Sequence, residues 1–384
     1  MNFPQRKSFK KKSSHLLAVS SELLAPALRL GAQLAVPQKS VPASEWRRAL
    51  IVGDMHIGDL LYRTCSLAQL KGGLPRCEFY YLAADGAAEV LADNPALAGI
   101  LLLRNSDRMF DLKNGAWDRL RELQFDAILC TSAIRAWPEL AFALKLRIPS
   151  RAAYAHRGLS GVITHPVYPR HPQSLPGYFR DMVSALTGQS PDWPMRPVVY
   201  PNPTDREQAE KLWREFGYKP SEKVMACFVT ARQTKGMWPV EWFGEVLQTV
   251  QNKCGCRIVL CGANGDNDKL QELRRQFNLS AELNPGRLGL KSLVAFLTKC
   301  SLTLTQDSGP RHLSNAAGIP VVFLRNTHVD AIETGRYCET ETDLIPPEIN
   351  RLPVEEQNNV LKMLPPSKGV ETILSLLKNG VNII

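Results

Sequence analysis

From Arg48 onward, short apolar runs alternate with longer stretches whose apolar residues recur every three or four positions. The first pattern is that of buried strands and the second that of amphipathic helices. The runs predict strands over 49–53, 78–83, 99–103, 126–131 and 161–165. Between and after them the spacing predicts helices over 59–71, 85–92, 116–123, 137–146 and 178–187. Thr187 to Pro203 is then crowded with Pro191, Pro194, Pro197, Pro201 and Pro203, the composition of a linker. A second alternating set follows, with strands over 223–229, 257–261, 302–305 and 320–324 and helices over 203–216, 239–252, 268–277, 291–299 and 310–317. Helical patterns return near 354–363 and 368–378. Apolar strands between amphipathic helices call for parallel sheets covered on both faces, so the chain reads as α/β with two Rossmann-like domains. The expected boundaries are an N-terminal segment 1–47, a first domain 48–190, a linker 191–202, a second domain 203–345 and a helical tail 346–384.

The N-terminal segment has a pattern of its own. Residues 1–13 are polar and basic, with Arg6, Lys7, Lys10, Lys11 and Lys12. A helical pattern runs from Ser14 to about Val36, carries Leu16, Leu17, Leu23, Leu24, Leu28, Leu30 and Leu34 roughly on one side, and is expected to be kinked or divided at Pro26. Glu22 and Arg29 interrupt it, so it is too short and too charged to span a bilayer. Nor does it have the apolar core of a secretory signal. Two readings stand: a helix lying at an anionic membrane surface, or a helix packed on its own domain with a basic tail. Pro37 to Ser44 reads as a linker.

Charge sharpens this division. The net charge is +10, but residues 1–48 hold nine Lys/Arg against two Asp/Glu, leaving 38 against 35 for the rest. The body is therefore nearly neutral, which argues against a nucleic-acid groove. The nine cysteines are scattered, and no pair has metal-site spacing. They read as reduced, mostly buried thiols of a cytoplasmic protein.

The chemistry gathers in three places. Leu302 to Leu324 reads strand, Asp307-Ser308-Gly309-Pro310 turn, helix, Gly318 stop and strand. That arrangement sets a helix N-terminus at the carboxyl end of a parallel strand, where free N–H groups suit phosphate. Ser308 and Gly309 would offer backbone donors there and His312 a side-chain donor. Asp307 would order the turn or bind a sugar hydroxyl, and Arg311 would add charge or face solvent. Upstream, Gly58-Asp59 follows the first strand and opens a helix, which puts a carboxylate at a loop mouth; the plain alternative is an N-cap. Asp54, in a second Gly-Asp, is its rival, and His56 would support either. Between these lies the loop Thr230, Arg232, Lys235, Trp238-Pro239, whose hydroxyl and cations suit a diphosphate. Gly262 ends a strand where a nucleotide would approach closely.

These elements, in this order, resemble glycosyltransferase family 9, the bacterial heptosyltransferases. The Asp307-Ser308-Gly309-Pro310-Arg311-His312-Leu313 run is similar to the family's Asp-Ser/Thr-Gly-x-x-His-Leu, with Arg311 in place of an apolar or small residue. His56-Ile57-Gly58-Asp59-Leu60-Leu61-Tyr62-Arg63-Thr64 is similar to its Gly-Asp turn. Lys235-Gly236-Met237-Trp238-Pro239 is similar to its Lys-x-Trp-Pro, one residue longer, which leaves the choice between Lys235 and Arg232 open. Gly161 to His165, with His171 after it, is similar to the end of its first domain.

The resemblance implies a GT-B fold with an interdomain cleft, an N-terminal acceptor domain and a C-terminal nucleotide-sugar domain, part of the tail crossing back onto the first. It implies an inverting transfer of heptose from ADP-heptose to a lipopolysaccharide core or similar glycolipid, with Asp59 as base. Thr230, Arg232, Lys235, Gly262, Asp307, Ser308, Gly309 and His312 would hold the donor, and His56, Arg104, His165 and His171 would serve the acceptor side, with Arg157 and Arg170 near them. The implied partners are a nucleotide sugar, a glycolipid and an anionic membrane, with no nucleic acid, at the inner face of the cytoplasmic membrane. The sequence holds no Asp-x-Asp at a strand end and no Gly-x-Gly-x-x-Gly after a strand, so neither a metal nor a dinucleotide cofactor is expected. The rival readings are a different nucleotide sugar for another surface glycan, and a non-catalytic nucleotide-sugar-binding protein.

Overall fold

The computed structural model describes residues 19–53, 56–103, 116–133, 136–170, 172–231, 237–325, 332, 334–346 and 361–379. The chain divides into two units after Met195. In the first, β1 (Arg48–Val52), β2 (Glu78–Ala84), β3 (Gly99–Leu103), β4 (Ala127–Cys130), β5 (Ser150–Tyr154) and β6 (His165–Val167) form one sheet in the order β3-β2-β1-β4-β5-β6. In the second, β7 (Val224–Phe228), β8 (Arg257–Gly262), β9 (Ala281–Pro285), β10 (Leu302–Gln306), β11 (Val321–Leu324) and β12 (Glu341–Leu344) form another in the order β12-β11-β10-β7-β8-β9. Every pairing in both sheets is parallel. Counted from its own first strand, each sheet runs 3-2-1-4-5-6, the Rossmann order, and each reverses between its first and fourth strands.

The helices of the first unit are α1 (Ala25–Ala35), α2 (Ile57–Thr64), α3 (Leu67–Gly73), α4 (Ala116–Glu122), α5 (Trp137–Lys145) and α6 (Leu175–Thr187). Those of the second are α7 (Pro203–Glu215), α8 (Val240–Cys254), α9 (Asn267–Gln276), α10 (Leu290–Leu297), α11 (Gly309–Ala317) and α12 (Pro366–Asn379). Residues buried on the strands, such as Leu50, Ile128 and Cys130, meet Leu140, Phe142 and Ala143 of α5 in one core. Met225, Leu260, Leu304 and Val322 meet Phe243, Val246 and Leu247 of α8 in the other. All nine cysteines are free thiols and only Cys254 is exposed.

Several expectations need correction. The helix expected over 59–71 is two helices, α2 and α3, broken at Cys65-Ser66. Residues 161–163 bury Val162 and Ile163 but form turns, and the strand begins only at His165. β5, β9 and β12 were not expected. Ser-Arg-Ala-Ala-Tyr is poor in β-branched residues, and Glu341-Thr342-Asp343-Leu344 is largely polar, so pairing with neighbours rather than intrinsic preference makes them strands. Of the tail expected over 346–384, the described residues Leu361, Leu364, Ile373 and Leu377 enter the core of the second unit, and Trp238 Nε1 donates to Leu364 O at 2.9 Å. The helix expected over 354–363 lies mostly outside the described residues.

Of the two readings of the N-terminal helix, packing on its own domain is observed for one face. The segment is helical at 19–23, turns at Leu24 and resumes as α1 with Pro26 in the first turn, where its missing N–H costs nothing. Leu28 packs against the first core, while Leu23 and Leu34 are 80% and 77% exposed.

Candidate active site

The motifs fall at the reversal point of each sheet. In the first unit β1 and β4 run side by side, with Val52 opposite Cys130, and the Gly-Asp turn follows β1. In the second, β7 and β10 are side by side, with Phe228 opposite Thr305. The Thr230–Trp238 loop follows β7, and the Asp307 turn follows β10. The carboxyl ends of the strands at such a reversal are where open α/β sheets bind ligands.

In the first unit Asp59 is the third residue of α2, not the residue before it, and it is partly exposed. A carboxylate in a first helical turn is favoured by the helix dipole. His56, at the N-cap, is exposed and makes no side-chain cap. Arg63, one turn after Asp59, is buried and donates from Nη1 to Asp59 O at 2.9 Å and towards Tyr81 Oη at 3.4 Å. The guanidinium lies over Gly53, where an added Cβ would come within 2.5 Å of Arg63 Nη2 and 2.3 Å of Thr131 Oγ1. Burial pushes the Tyr81 phenol up to about 12, against the lowering pull of Arg63. Beside them, Ser132 N donates to both oxygens of the buried Glu139 carboxylate at 3.1 and 3.2 Å. Arg63 thus ties the turn that bears Asp59 to Tyr81 of β2 and lies over Gly53, just after β1. The i, i+4 spacing from Asp59 was the one sequence signal for it.

In the second unit Ser308 is the extended N-cap of α11 and Gly309 and Pro310 open the helix. The Ser308 side chain does not cap this N-terminus. Asp307 accepts from Arg311 Nη1 at 2.8 Å, so its carboxylate orders the turn. Arg311 neither faces solvent nor offers its charge outward: its side chain is 0% exposed. Nε and Nη2 grip the buried Glu341 carboxylate at 2.5 and 3.0 Å, and the remaining N–H groups meet Thr334 O at 2.9 Å and Gly335 O at 2.8 Å. All five guanidinium hydrogens are thereby used. The guanidinium carbon also stands 3.7 Å from the centre of the Phe323 ring.

His312 is buried as well, with Nδ1 2.8 Å from Tyr337 Oη. Burial first, and the charge of Arg311 second, hold its ring well below the usual imidazole range. It is therefore a neutral donor rather than a cation at neutral pH. Glu341 also accepts from Tyr337 N at 3.0 Å and Asn315 Nδ2 at 2.7 Å. Tyr337, Glu341 and Asn315 had no sequence signal: Asn315 lies on α11 itself, and Tyr337 and Glu341 reach it from a loop and an edge strand some two dozen residues away.

Gln306, buried at the end of β10, reaches Trp238 O at 3.4 Å and links the two loops of this unit. Thr230 Oγ1 donates to Asp266 Oδ2 at 2.9 Å, and Gly262 O, at the end of β8, accepts from Gly286 N at 2.7 Å. Thr230 and Gly262 are thus brought to neighbouring strand ends. Arg232 and Lys235 lie outside the described residues, as do Asp54, Arg104 and His171 and the side chain of Arg157.

His165 opens the edge strand β6, opposite Ala152 in the middle of β5 and three strands away from β1, which the Asp59 turn follows. There it meets Thr164 Oγ1 at 2.9 Å and the edge of Trp46 with ring centres 5.1 Å apart. Arg170 is occupied too, paired with Asp181 at 2.8 Å. Among the described residues, no three His, Cys, Asp or Glu side chains gather as a metal site.

Two Rossmann-ordered units, one with a carboxylate turn and the other with a helix N-terminus at its reversal point, have the GT-B-like fold of a glycosyltransferase. The family model for glycosyltransferase family 9 (heptosyltransferase) matches residues 181–361. The lipopolysaccharide core heptosyltransferase OpsX of Haemophilus influenzae is 21% identical over 285 residues, 71% of this chain and 77% of that protein. Among solved structures, the family 9 glycosyltransferase of Veillonella parvula is similar with a TM-score of 0.75 at 18% identity, over 89% of this chain and 100% of that one. The ADP-heptose lipopolysaccharide heptosyltransferase II of E. coli follows with a TM-score of 0.66 at 17% identity, over 86% of this chain and 99% of that one. The family 9 model thus matches 181 of the 384 residues, the end of the first unit and most of the second, and the chain is a glycosyltransferase similar to that family.

Proposed function

We propose that the enzyme transfers heptose from ADP-heptose, with inversion, to a lipopolysaccharide core or similar glycolipid on the cytoplasmic side of the membrane. The observation that carries this is the placement of Asp59 and of the α11 N-terminus, each at the reversal point of its own sheet. The donor and acceptor classes are supported by the relatives, whose names give ADP-heptose and a lipopolysaccharide core.

Asp59 takes the proton of the acceptor hydroxyl as its oxygen bonds to the anomeric carbon. The bond from that carbon to the diphosphate oxygen breaks, and ADP departs with its electron pair. The N–H groups at the start of α11, with Ser308 and Gly309, receive the phosphate charge, and Arg232 and Lys235 add cations. With the Tyr337 hydroxyl donating to Nδ1, His312 carries its proton on Nε2. Arg63 holds the Asp59 turn in place. No cofactor beyond the donor is required.

Incubation with a panel of nucleotide sugars and a delipidated core acceptor tests the reading. Transfer from ADP-heptose above all others is expected. Preference for another nucleotide sugar would overturn the donor assignment, and its product would name the glycan.

A further inference from the structure

The N-terminal helical segment faces its domain with the wrong side chains. Ser21, Ala25, Leu28, Ala32 and Val36, spaced by four, three, four and four, face inward. Ser21 Oγ accepts from Leu159 N at 3.0 Å and Glu22 accepts from Ser160 N at 3.0 Å. A Cβ on Gly161 would stand 2.3 Å from Ala25 O, so the helix backbone sits directly on that loop. The opposite side carries Val19, Leu23, Leu30 and Leu34, at 49%, 80%, 59% and 77% exposure, with Leu24 at 59%. Two residues around a helix is roughly 200°, so the Leu30–Leu34 stripe lies opposite Leu28–Ala32. A helix that only packed on its domain would turn its leucines inward and its alanines out. Half of the exposed large apolar side chains among the described residues lie on this one segment.

We infer that this outward leucine face is a docking surface for an anionic lipid bilayer. The charge of the chain before it selects the occupant. Arg6, Lys7, Lys10, Lys11 and Lys12 precede the leucines, and the first acidic residue of the chain is Glu22, which is bonded to Ser160. A second copy of the chain would bring two such basic segments together across a two-fold interface. A bilayer with anionic headgroups meets the bases with opposite charge and the leucines with hydrocarbon. No helix among the described residues is long and apolar enough to cross a membrane, so the helix lies in the surface. The inference does not depend on Asp59 or on the sugar transferred.

The test uses the full chain and vesicles free of any acceptor glycolipid, either phosphatidylcholine alone or mixed with phosphatidylglycerol. The wild type is expected to sediment with the anionic vesicles only, less so as salt rises. The combined Leu23→Ser, Leu30→Ser, Leu34→Ser variant is expected to bind about tenfold or more weakly, with an unchanged melting temperature because those side chains are exposed. Lys10→Gln, Lys11→Gln, Lys12→Gln, which leaves the helix untouched, is expected to lose roughly fivefold per basic residue. Equal sedimentation of wild type and both variants, or none by the wild type, overturns the inference. So does a dimer of the wild type that the leucine variant dissolves while vesicle binding stays the same.

Discussion

The phenol oxygen of Tyr337 stands 2.8 Å from Nδ1 of His312, and the two rings stack with centres 5.8 Å apart. The pair exists because Arg311, the neighbour of His312 on α11, grips Glu341, and Glu341 in turn holds the Tyr337 backbone N–H at 3.0 Å. The loop before β12 is thus pinned to the first turns of α11, whose N-terminus we propose receives the diphosphate. Tyr337→Phe removes the hydroxyl alone. It is expected to cost about 1–3 kcal/mol of stability, because a buried ring nitrogen loses its partner. It is also expected to weaken ADP binding. Thermal melts and calorimetric titration with ADP check both, and unchanged values in the two measurements would detach Tyr337 from the site.

Arg311→Met keeps the length of the side chain and removes the charge. It leaves Glu341 buried without its cation, which is expected to destabilise the protein by about 3–5 kcal/mol. Denaturant unfolding reads the loss. Arg311→Met with Glu341→Leu should recover much of it, since an ion pair replaced as a whole is close to neutral.

Asp59→Asn is expected to lower transfer by about two to four orders of magnitude, the scale of a lost general base, while ADP binding is unchanged. Single-turnover assays and titration separate the two. Near-normal turnover, with Asp54→Asn inactive, would move the role to Asp54.

Gly53→Ala places a methyl group within 2.5 Å of Arg63 Nη2 and 2.3 Å of Thr131 Oγ1. Neither neighbour has room, because Thr131 Oγ1 also donates to Val52 O at 2.7 Å. A loss of about 1–3 kcal/mol is expected, with a fall in kcat as Arg63 releases the Asp59 turn. Urea titration and initial rates measure the two effects, and a variant as stable and active as wild type would refute the packing argument.

His312 and His165 are both held below the usual imidazole range, burial being the largest cause in each. The unfolded chain then binds more protons than the folded one once the pH falls below about 6.5. Stability is therefore full above that value and declines as the pH drops towards the lowered folded values. Melting temperatures from pH 7.5 to 5.5 should show the decline, and it should flatten in His312→Gln.

The alternation of apolar strands and amphipathic helices made the two Rossmann-like units legible, because period-2 and period-3.6 burial are local properties of the chain. The Asp307-Ser308-Gly309 turn was legible for the same reason: strand, turn and helix start are adjacent in sequence. β5, β9 and β12 were not, since a polar or alanine-rich segment becomes a strand only when a neighbour offers its edge.

Sequence alone therefore located the turns on which the proposed chemistry rests: Gly58-Asp59, the Thr230 loop and the start of α11. Tertiary structure alone decided what the side chains around them do. It buried Arg311 against Glu341, set Tyr337 on His312, laid Arg63 over Gly53 and sent His165 to the far edge of its sheet. It also turned Leu28 inward and Leu30 outward on the same helix. A turn is specified by its own few residues, whereas burial and pairing depend on segments folded in from far along the chain.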